Sequence, residues 1–532
     1  MTDSIRLLLN GQHLCVEGVA PTTMLLAWLR QQQGLKGSKE GCGEGDCGAC
    51  TVVVGSLVEP AQTLQLRTIN ACIQLLPALD GKAVFTVEYL QQLAGEHAQG
   101  QDAPPARQTI RLHPVQQAMV EHHGSQCGFC TPGFVMSLWQ LYESCAASGQ
   151  RPDQGQVASA LTGNLCRCTG YRPIIDAGLA MCEGPKVLLD REAVRQQLLA
   201  LQRTESLDYV AGGVHFHAPR SARELAALRA AKPAATLLAG CTDVGLWINK
   251  QFRDVGDLIY TPAVQELRRC ETAEDGSLWI GAGVALSDAY AALVQHYPEL
   301  TELWERFAST PVRNAGTLGG NIANGSPIGD SAPPLIALGA QVLLASQRGT
   351  RALPLEGFYL DYMKKDLARD EFVLAVQVPP RPAGAGQFVL RTYKVSKRFD
   401  SDISAVCAAF ALWLEAPAQP GAAPTVAAAR IAFGGMAATS RRAAGAEAAL
   451  TGRPWAPSSV LAAQQALRQD FSPLSDMRAA RSYRERVAAN LLQRCWLETR
   501  HDAPLSPEAT RAYPQLALFE ALQPALGMEV RS

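Results

Sequence analysis

The stretch Gly41-Cys42-Gly43-Glu44-Gly45-Asp46-Cys47-Gly48-Ala49-Cys50 places three cysteines in one glycine-rich loop, and Cys72 follows after a further strand-like run. The spacing is C-x4-C-x2-C…C, that of plant-type [2Fe–2S] proteins. Four thiolates must converge on two irons, and three come here from one short loop. The interspersed glycines let the backbone take positive φ and turn its N–H groups towards the cluster sulfurs. Gly43, Gly45 and Gly48 also satisfy G-x-G-x-x-G, the dinucleotide fingerprint. That reading fails, because the fingerprint needs a strand before it and a helix after it. Here the polar Gly37-Ser38-Lys39-Glu40 precedes and the strand-like Thr51–Val54 follows.

Outward from the loop, the pattern is that of a small sheet on one helix. Ile5–Leu9, the turn Asn10-Gly11 and Gln12–Val16 predict a hairpin with a type I′ turn. Thr22 is the expected cap of a helix carrying Leu25, Leu26, Trp28 and Leu29, with Gly34 ending it. Ala83–Val87 reads as a returning strand. Gln91–Arg107, with Pro104-Pro105, reads as a linker.

A second quartet lies downstream. Gln126-Cys127-Gly128-Phe129-Cys130-Thr131-Pro132-Gly133 follows an expected helix over Pro114–His123, and Gly163-Asn164-Leu165-Cys166-Arg167-Cys168-Thr169-Gly170-Tyr171-Arg172-Pro173 completes it. Thr131 suits an N-cap and Pro132 the first helical position, so both cysteine pairs fall near helix N-termini, where partial positive charge favours thiolates. Cys127-x2-Cys130 alone also fits a redox pair or half a zinc site. Cys166-x-Cys168 fits zinc spacings poorly, and a plant-type quartet in the same chain favours a second iron–sulfur cluster over zinc. The remaining seven cysteines (Cys15, Cys145, Cys182, Cys241, Cys270, Cys407, Cys495) read as small core residues.

The chain has 532 residues, enough for three or four domains, and a net charge of -1, which gives no electrostatic footprint for nucleic acid. The N-terminal run lacks a signal peptide, and no apolar run is long enough for a membrane span. Fifteen cysteines without a secretory signal point to a reducing, cytoplasmic setting.

Beyond a charged, glutamine-rich stretch over 183–206, the buried-strand pattern Ala234–Leu238 runs into Ala239-Gly240-Cys241-Thr242-Asp243-Val244. Pro311–Asn321 and Ser326–Asp330 supply a second set of small-residue loops. Each alone reads as a turn. Together, with spare backbone N–H groups, they suit a bound pyrophosphate.

These runs together resemble the molybdenum hydroxylases, the family of the xanthine dehydrogenases, aldehyde oxidases and aerobic carbon monoxide dehydrogenases. The resemblance covers Ile5 to about Leu497. It implies a multidomain α+β chain: a β-grasp ferredoxin-like domain (1–90), a helical [2Fe–2S] domain (91–182), a linker (183–206), an α+β FAD-binding domain (207–385), an α+β C-terminal flavoprotein domain (386–497) and a tail (498–532). It implies two [2Fe–2S] clusters, one on Cys42, Cys47, Cys50 and Cys72, the other on Cys127, Cys130, Cys166 and Cys168. It implies FAD contacts at Leu237, Leu238, Ala239, Gly240, Cys241, Thr242, Asp243 and Val244, at Phe307, at Thr317, Leu318, Gly319, Gly320 and Asn321, and at Asp330, Val373 and Lys394. Gln126 matches a glutamine that touches molybdopterin, and Tyr393–Ser404 matches the loop on the nicotinamide side of the flavin.

The order of the parts in one chain resembles the xanthine dehydrogenase branch. Carbon monoxide dehydrogenase fits less well, because its parts are separate chains. The family's molybdenum domain is missing from the sequence. The resemblance therefore implies a large molybdenum-binding partner subunit holding molybdopterin, a heterotetramer or higher assembly, and NAD as co-substrate. The helical-domain cluster would lie nearer the molybdenum and the ferredoxin-like cluster nearer the flavin. An equivalent subunit acting with an aldehyde or N-heterocycle hydroxylase is the enzyme-class alternative. A zinc-stapled scaffold subunit is the alternative of another class, against which the flavin loops count.

Overall fold

The computed structural model describes residues 4–99, 111–383, 386–417, 419 and 421–510. The second part of the expected linker, Gly100 to Arg107 with Pro104-Pro105, and the tail beyond 510 lie outside the described residues.

The N-terminal unit is a five-stranded sheet ordered β2-β1-β5-β3-β4: β1 (Ile5–Leu9), β2 (Gln12–Val16), β3 (Thr51–Val58), β4 (Thr63–Asn70) and β5 (Ala83–Phe85), with helix α1 (Leu25–Gln31). Asn10 and Gly11 take φ of 51° and 82°, the positive pair that a type I′ turn demands. Thr22 does not cap α1. Met24 holds that position without a side-chain bond, and an extended residue there leads in from the strand-like chain. Gly34, at φ 70°, ends the helix, and Leu35 N–H closes back on the Leu29 carbonyl. The returning strand stops at Phe85. Val87 instead begins helix α2 (Val87–Gln99), so the first part of the expected linker is helical; Leu90, Leu93 and Ala94 recur at helical spacing and are buried.

Both faces of this sheet are covered. Ile5, Leu7, Leu9, Val52 and Val54 share one core with Tyr209, Phe216 and Leu258, whereas Leu8, Val53 and Phe85 share another with Phe134, Leu138 and Trp139. Successive residues of a strand point to opposite faces, so a run such as Val52-Val53-Val54 is apolar throughout because each face has its own neighbour.

The second unit is helical: α3 (Pro114–Glu121), α4 (Thr131–Ser148), α5 (Gln154–Ala160), α6 (Arg172–Ala180) and α7 (Arg191–Leu201). His113 caps α3 through Nδ1, which accepts from Val115 N–H. Thr131 is the first residue of α4 rather than its cap; Cys130 holds the cap position, and the Thr131 hydroxyl pairs with Ser125 instead.

The flavin-type unit has two lobes. The first is a sheet ordered β6-β7-β9-β8 from β6 (Leu207–Ala211), β7 (Val214–Ala218), β8 (Thr236–Leu238) and β9 (Leu258–Tyr260), with α8 (Ala222–Ala231) and α9 (Val244–Asn249). The second follows from β10 (Cys270–Thr272) and β11 (Leu278–Gly281) through α10 (Leu286–His296), α11 (Thr301–Arg306), α12 (Thr310–Ala315), α13 (Leu318–Asn324) and α14 (Ala332–Ala337). Strands β12 (Gln341–Ser346) and β13 (Gly349–Pro354), helix α15 (Leu355–Phe358), the small hairpin β14 (Tyr359–Asp361) and β15 (Lys364–Lys365), and β16 (Phe372–Val378) complete it. Its sheet runs β10-β11-β16-β12-β13.

The last unit is a sheet ordered β17-β18-β19-β20, from β17 (Gln387–Val395), β18 (Val406–Glu415), β19 (Thr425–Gly434) and β20 (Arg441–Arg442). Helices α16 (Ala444–Leu450), α17 (Pro457–Asp470) and α18 (Arg481–Thr499) cover it. Of the seven scattered cysteines, Cys145, Cys241, Cys407 and Cys495 are buried; Cys15 and Cys270 are exposed, so the core reading fails for those two.

Candidate functional site

Glycines let the first loop fold around its own sulfurs. Gly43, Gly45 and Gly48 take φ between 67° and 79°. A Cβ on Gly41 would lie 2.9 Å from Cys47 Sγ, and one on Gly48 would strike the Gly163 carbonyl at 2.2 Å. The N–H groups of Glu44 and Cys47 both point at Cys42 Sγ from 3.4 Å. Hydrogen bonds from Cys47 and Cys72 hold the Cys42 thiol well below its ordinary pKa, and those donors are pushed up in return. A bond from Cys72 likewise lowers Cys50. All four thiols are free and share one hydrogen-bonded group, a donor set that fits a [2Fe–2S] cluster.

The second quartet is built the same way at the surface. Cys168 Sγ lies 3.6 Å from Cys127 Sγ. Burial pushes Cys166 up, but the Thr169 hydroxyl at 3.2 Å and its N–H at 3.4 Å outweigh it and lower the thiol. Burial raises Cys130 to about 12. Cys127, Cys168 and Gln126 are exposed, and Phe129 between the first pair is exposed too.

The two loops interlock. Leu165 N–H donates to the Cys47 carbonyl at 3.0 Å, and Asn164 Nδ2 donates to the Gly48 carbonyl and to Thr51 Oγ1, both at 3.2 Å. Gly133 at the start of α4 has no room for a Cβ, which would sit 2.1 Å from the Gly48 carbonyl. Asn164 lay within the quoted motif, but its sequence context showed no reason for a buried amide.

The flavin-type loops also come together. A Cβ on Gly240 would meet the Ala315 carbonyl at 1.9 Å, and Asn324 Nδ2 donates to Asp243 Oδ1 at 3.0 Å. Their N–H groups differ in use. In the first turn of α13, Leu318 donates to the Val284 carbonyl, Gly319 to the Ala282 carbonyl, and Gly320 to Thr317 Oγ1. The expected spare donors are therefore spent there. Among the described residues, the N–H groups of Gly240, Cys241, Thr242 and Asp243 have no acceptor. That loop is a cradle of unpaired donors, which fits a bound pyrophosphate.

Gly319 has a packing role: a Cβ would lie 2.3 Å from Ala282. Val373 is buried on β16 in the core with Leu318 and Ile322, its side chain occupied in packing. Phe307 is buried against Tyr290, ring centroids 5.5 Å apart, and Arg313 Nη1 holds its carbonyl at 2.9 Å. Asp330 and Lys394 form a buried ion pair at 2.5 Å, and Lys394 also donates to the Asp402 carbonyl and Ser404 Oγ. Asp330 Oδ1 is buried without a partner among the described residues.

Helix α9 joins this cradle to the first quartet. Asn249 Nδ2 donates to the Cys72 carbonyl at 2.6 Å, and Lys250 Nζ bonds the Cys42 carbonyl. Gly245 fits only because it lacks a Cβ, which would lie 2.5 Å from the Ile73 carbonyl. Cys241 faces the same way, accepting from Gln74 Nε2 at 3.3 Å. Sequence reading missed Asn249 and Lys250; at the end of a helix, polar residues carry no local sign of partners 177 and 208 positions away.

Four family profiles match the chain: "2Fe-2S iron-sulfur cluster binding domain" over 7–75, "[2Fe-2S] binding domain" over 101–179, "FAD binding domain in molybdopterin dehydrogenase" over 207–381 and "CO dehydrogenase flavoprotein C-terminal domain" over 391–499. The xanthine dehydrogenase of Emericella nidulans is 31% identical over 528 residues, covering 88% of this chain and 36% of that protein. Xanthine dehydrogenase 1 of Arabidopsis thaliana is 31% identical over 519 residues, covering 84% and 36%. The chain thus spans about a third of the length of these curated relatives. A solved carbon monoxide dehydrogenase from Hydrogenophaga pseudoflava is 29% identical, covering 52% of this chain and 94% of that one, with a TM-score of 0.47.

Proposed function

The chain belongs to the molybdenum hydroxylases as an iron–sulfur and flavin portion, and on that premise we propose that it is the electron-transfer subunit of a xanthine dehydrogenase. It would take electrons from a large molybdenum-binding partner that oxidises hypoxanthine and xanthine in purine catabolism, and deliver them to NAD in the cytoplasm. When bound, the clusters supply one-electron carriage and FAD supplies the exchange between one- and two-electron steps.

One observation carries the reading: the three candidate sites touch in series. The loop of Cys166 is hydrogen-bonded to Cys47, and the helix after the Gly240–Asp243 cradle is hydrogen-bonded to Cys72. In this reading Cys127, Cys130, Cys166 and Cys168 hold the cluster nearer the partner, and Cys42, Cys47, Cys50 and Cys72 hold the one nearer the flavin. Gln126 and the exposed Cys127 and Cys168 face outward, where the molybdopterin-bearing partner would seat in a heterotetramer or larger assembly. Gly240–Asp243 would donate to the pyrophosphate, while Thr317–Asn321 would hold the cradle's wall rather than donate. Among the described residues, no helix is long and apolar enough to cross a membrane.

The test uses the purified chain with and without its partner. Alone, it should oxidise NADH with an artificial dye and leave xanthine untouched. Adding the molybdenum subunit should restore xanthine-dependent NAD reduction. Cys166→Ser should abolish the restored reaction and spare the NADH–dye activity. Xanthine turnover by the chain alone, or equal loss of both activities in the variant, would overturn the proposal.

A further inference from the structure

Hairpin β6–β7 carries a cluster that electron transfer does not use. Asp208 and His217 stand directly opposite each other in the antiparallel register, and His215 lies two residues before His217. Residues two apart on a strand share a face, so both imidazoles and the carboxylate project from the same side. The two rings stack with centroids 5.5 Å apart and planes 17° from parallel. His217 Nδ1 lies 3.1 Å from Asp208 Oδ1, and His215 Nδ1 lies 3.8 Å from the same oxygen. One ligand atom from each of the three falls within 4.8 Å of the others.

An aspartate–histidine ion pair does not account for this arrangement. It would use one proton, on His217 Nδ1. His215 Nδ1 and His217 Nε2 are both buried atoms without a partner among the described residues. Leaving such groups unmade is costly. A single cation held by Asp208 Oδ1, His215 Nδ1 and His217 Nδ1 gives the orphaned His215 nitrogen a partner and draws on the carboxylate and both imidazoles together, while His217 Nε2 stays outside it. Zinc–ligand bonds of 2.0–2.1 Å in a tetrahedron separate neighbouring ligands by about 3.3 Å, between the two spacings observed. The surrounding charges suit a cation: Asp208 is exposed, and Asp257 accepts from His215 N–H at 3.0 Å and from Lys232 Nζ at 2.8 Å. The sum over Asp208, Asp257 and Lys232 is one negative charge.

We propose that Asp208, His215 and His217 bind a divalent cation of the zinc class, with water completing its coordination. Two imidazoles and one carboxylate are a ligand set for such metals, and the exposed edge leaves an open position. The reverse side of the hairpin is already tied to the ferredoxin-like unit, because Tyr209 Oη donates to the Val19 carbonyl at 2.6 Å and accepts from Val19 N–H at 2.9 Å. A metal on the outer side would brace that joint.

The experiment uses the full chain with its clusters and flavin, stripped of loose metal by EDTA and dialysed against zinc. Zinc per chain, the thermal midpoint and the zinc X-ray absorption spectrum are measured for the wild type, Asp208→Asn and His215→Ala. Zinc held by exposed thiols such as Cys15 and Cys270 is common to all three and cancels. The wild type should retain one more zinc than either variant, show nitrogen and oxygen scatterers for it, and gain thermal stability with zinc that the variants do not gain. Because Asp208 is exposed and His215 partly so, iron and flavin contents should stay at wild-type levels and so certify the fold. Equal zinc in all three proteins, or sulfur scatterers alone, would overturn the site.

Discussion

The side-chain amide of Asn249, at the end of α9, donates to the backbone carbonyl of Cys72 across 2.6 Å and to that of Gly43 at 3.3 Å. One residue of the flavin-type unit therefore fixes both the first cysteine loop, at Gly43, and the fourth cysteine of that quartet, Cys72. Asn249→Ala should leave both carbonyls without this donor, at a cost of about 1–3 kcal/mol. The paramagnetic signal assigned to the Cys42 quartet should shift while the other stays. Two unchanged signals would show that the loop holds its shape unaided.

Gly240→Ala should expel the flavin. The added Cβ would lie 1.9 Å from the Ala315 carbonyl, a backbone atom that cannot swing away, and the cradle must open. Overpacking of this kind costs about 1–3 kcal/mol. Purified protein should keep both clusters and release little FAD on acid treatment. Gly357→Ala, with nothing near the new Cβ, is the matched control. Full flavin in Gly240→Ala would show that the loop can shift without loss.

Lys394→Met should be more harmful than the double change Lys394→Met, Asp330→Leu. The single change leaves a buried carboxylate without its cation, at a cost of about 3–5 kcal/mol, whereas removing both charges avoids that penalty. Thermal midpoints of the three proteins measure the difference. A double variant no more stable than Lys394→Met would mean that Asp330 is held mainly by groups other than Lys394.

Glu143 supplies a pH dependence. Burial raises its pKa to about 7, outweighing the Leu189 N–H at 3.1 Å and the nearby Arg191 and Trp139, which favour its carboxylate. A raised acid costs the fold nothing below the unfolded value near 4.5, and the penalty grows as pH rises towards 7, reaching about 3 kcal/mol. Glu143→Gln should therefore raise the thermal midpoint at pH 8 and change it little at pH 5. His113 works in the opposite sense: burial lowers its pKa to about 4, so stability falls as pH drops from 6.5 through that value. An equal gain for Glu143→Gln at pH 5 and pH 8 would show that the carboxylate is not the titrating group.

What was legible in the sequence was local. The cysteine loop was readable because three thiols within ten residues need a backbone that only closely spaced glycines permit. The Asn10-Gly11 turn was readable because two successive positive φ values leave few residue choices. Helix starts at Thr22 and Thr131 were misread because cap preferences are weak beside the packing that sets where a helix begins.

The remainder was decided by tertiary structure. Which loop offers free N–H groups depends on whether Val284 and Ala282 come close enough to accept from α13, as they do. That Cys47 meets Leu165 and Cys72 meets Asn249 follows from how sheets and helices stack. Spacing along the chain encodes geometry only across a turn or two. Contacts between residues a hundred or more positions apart are selected by the joint burial of whole faces, to which no short stretch of sequence bears witness.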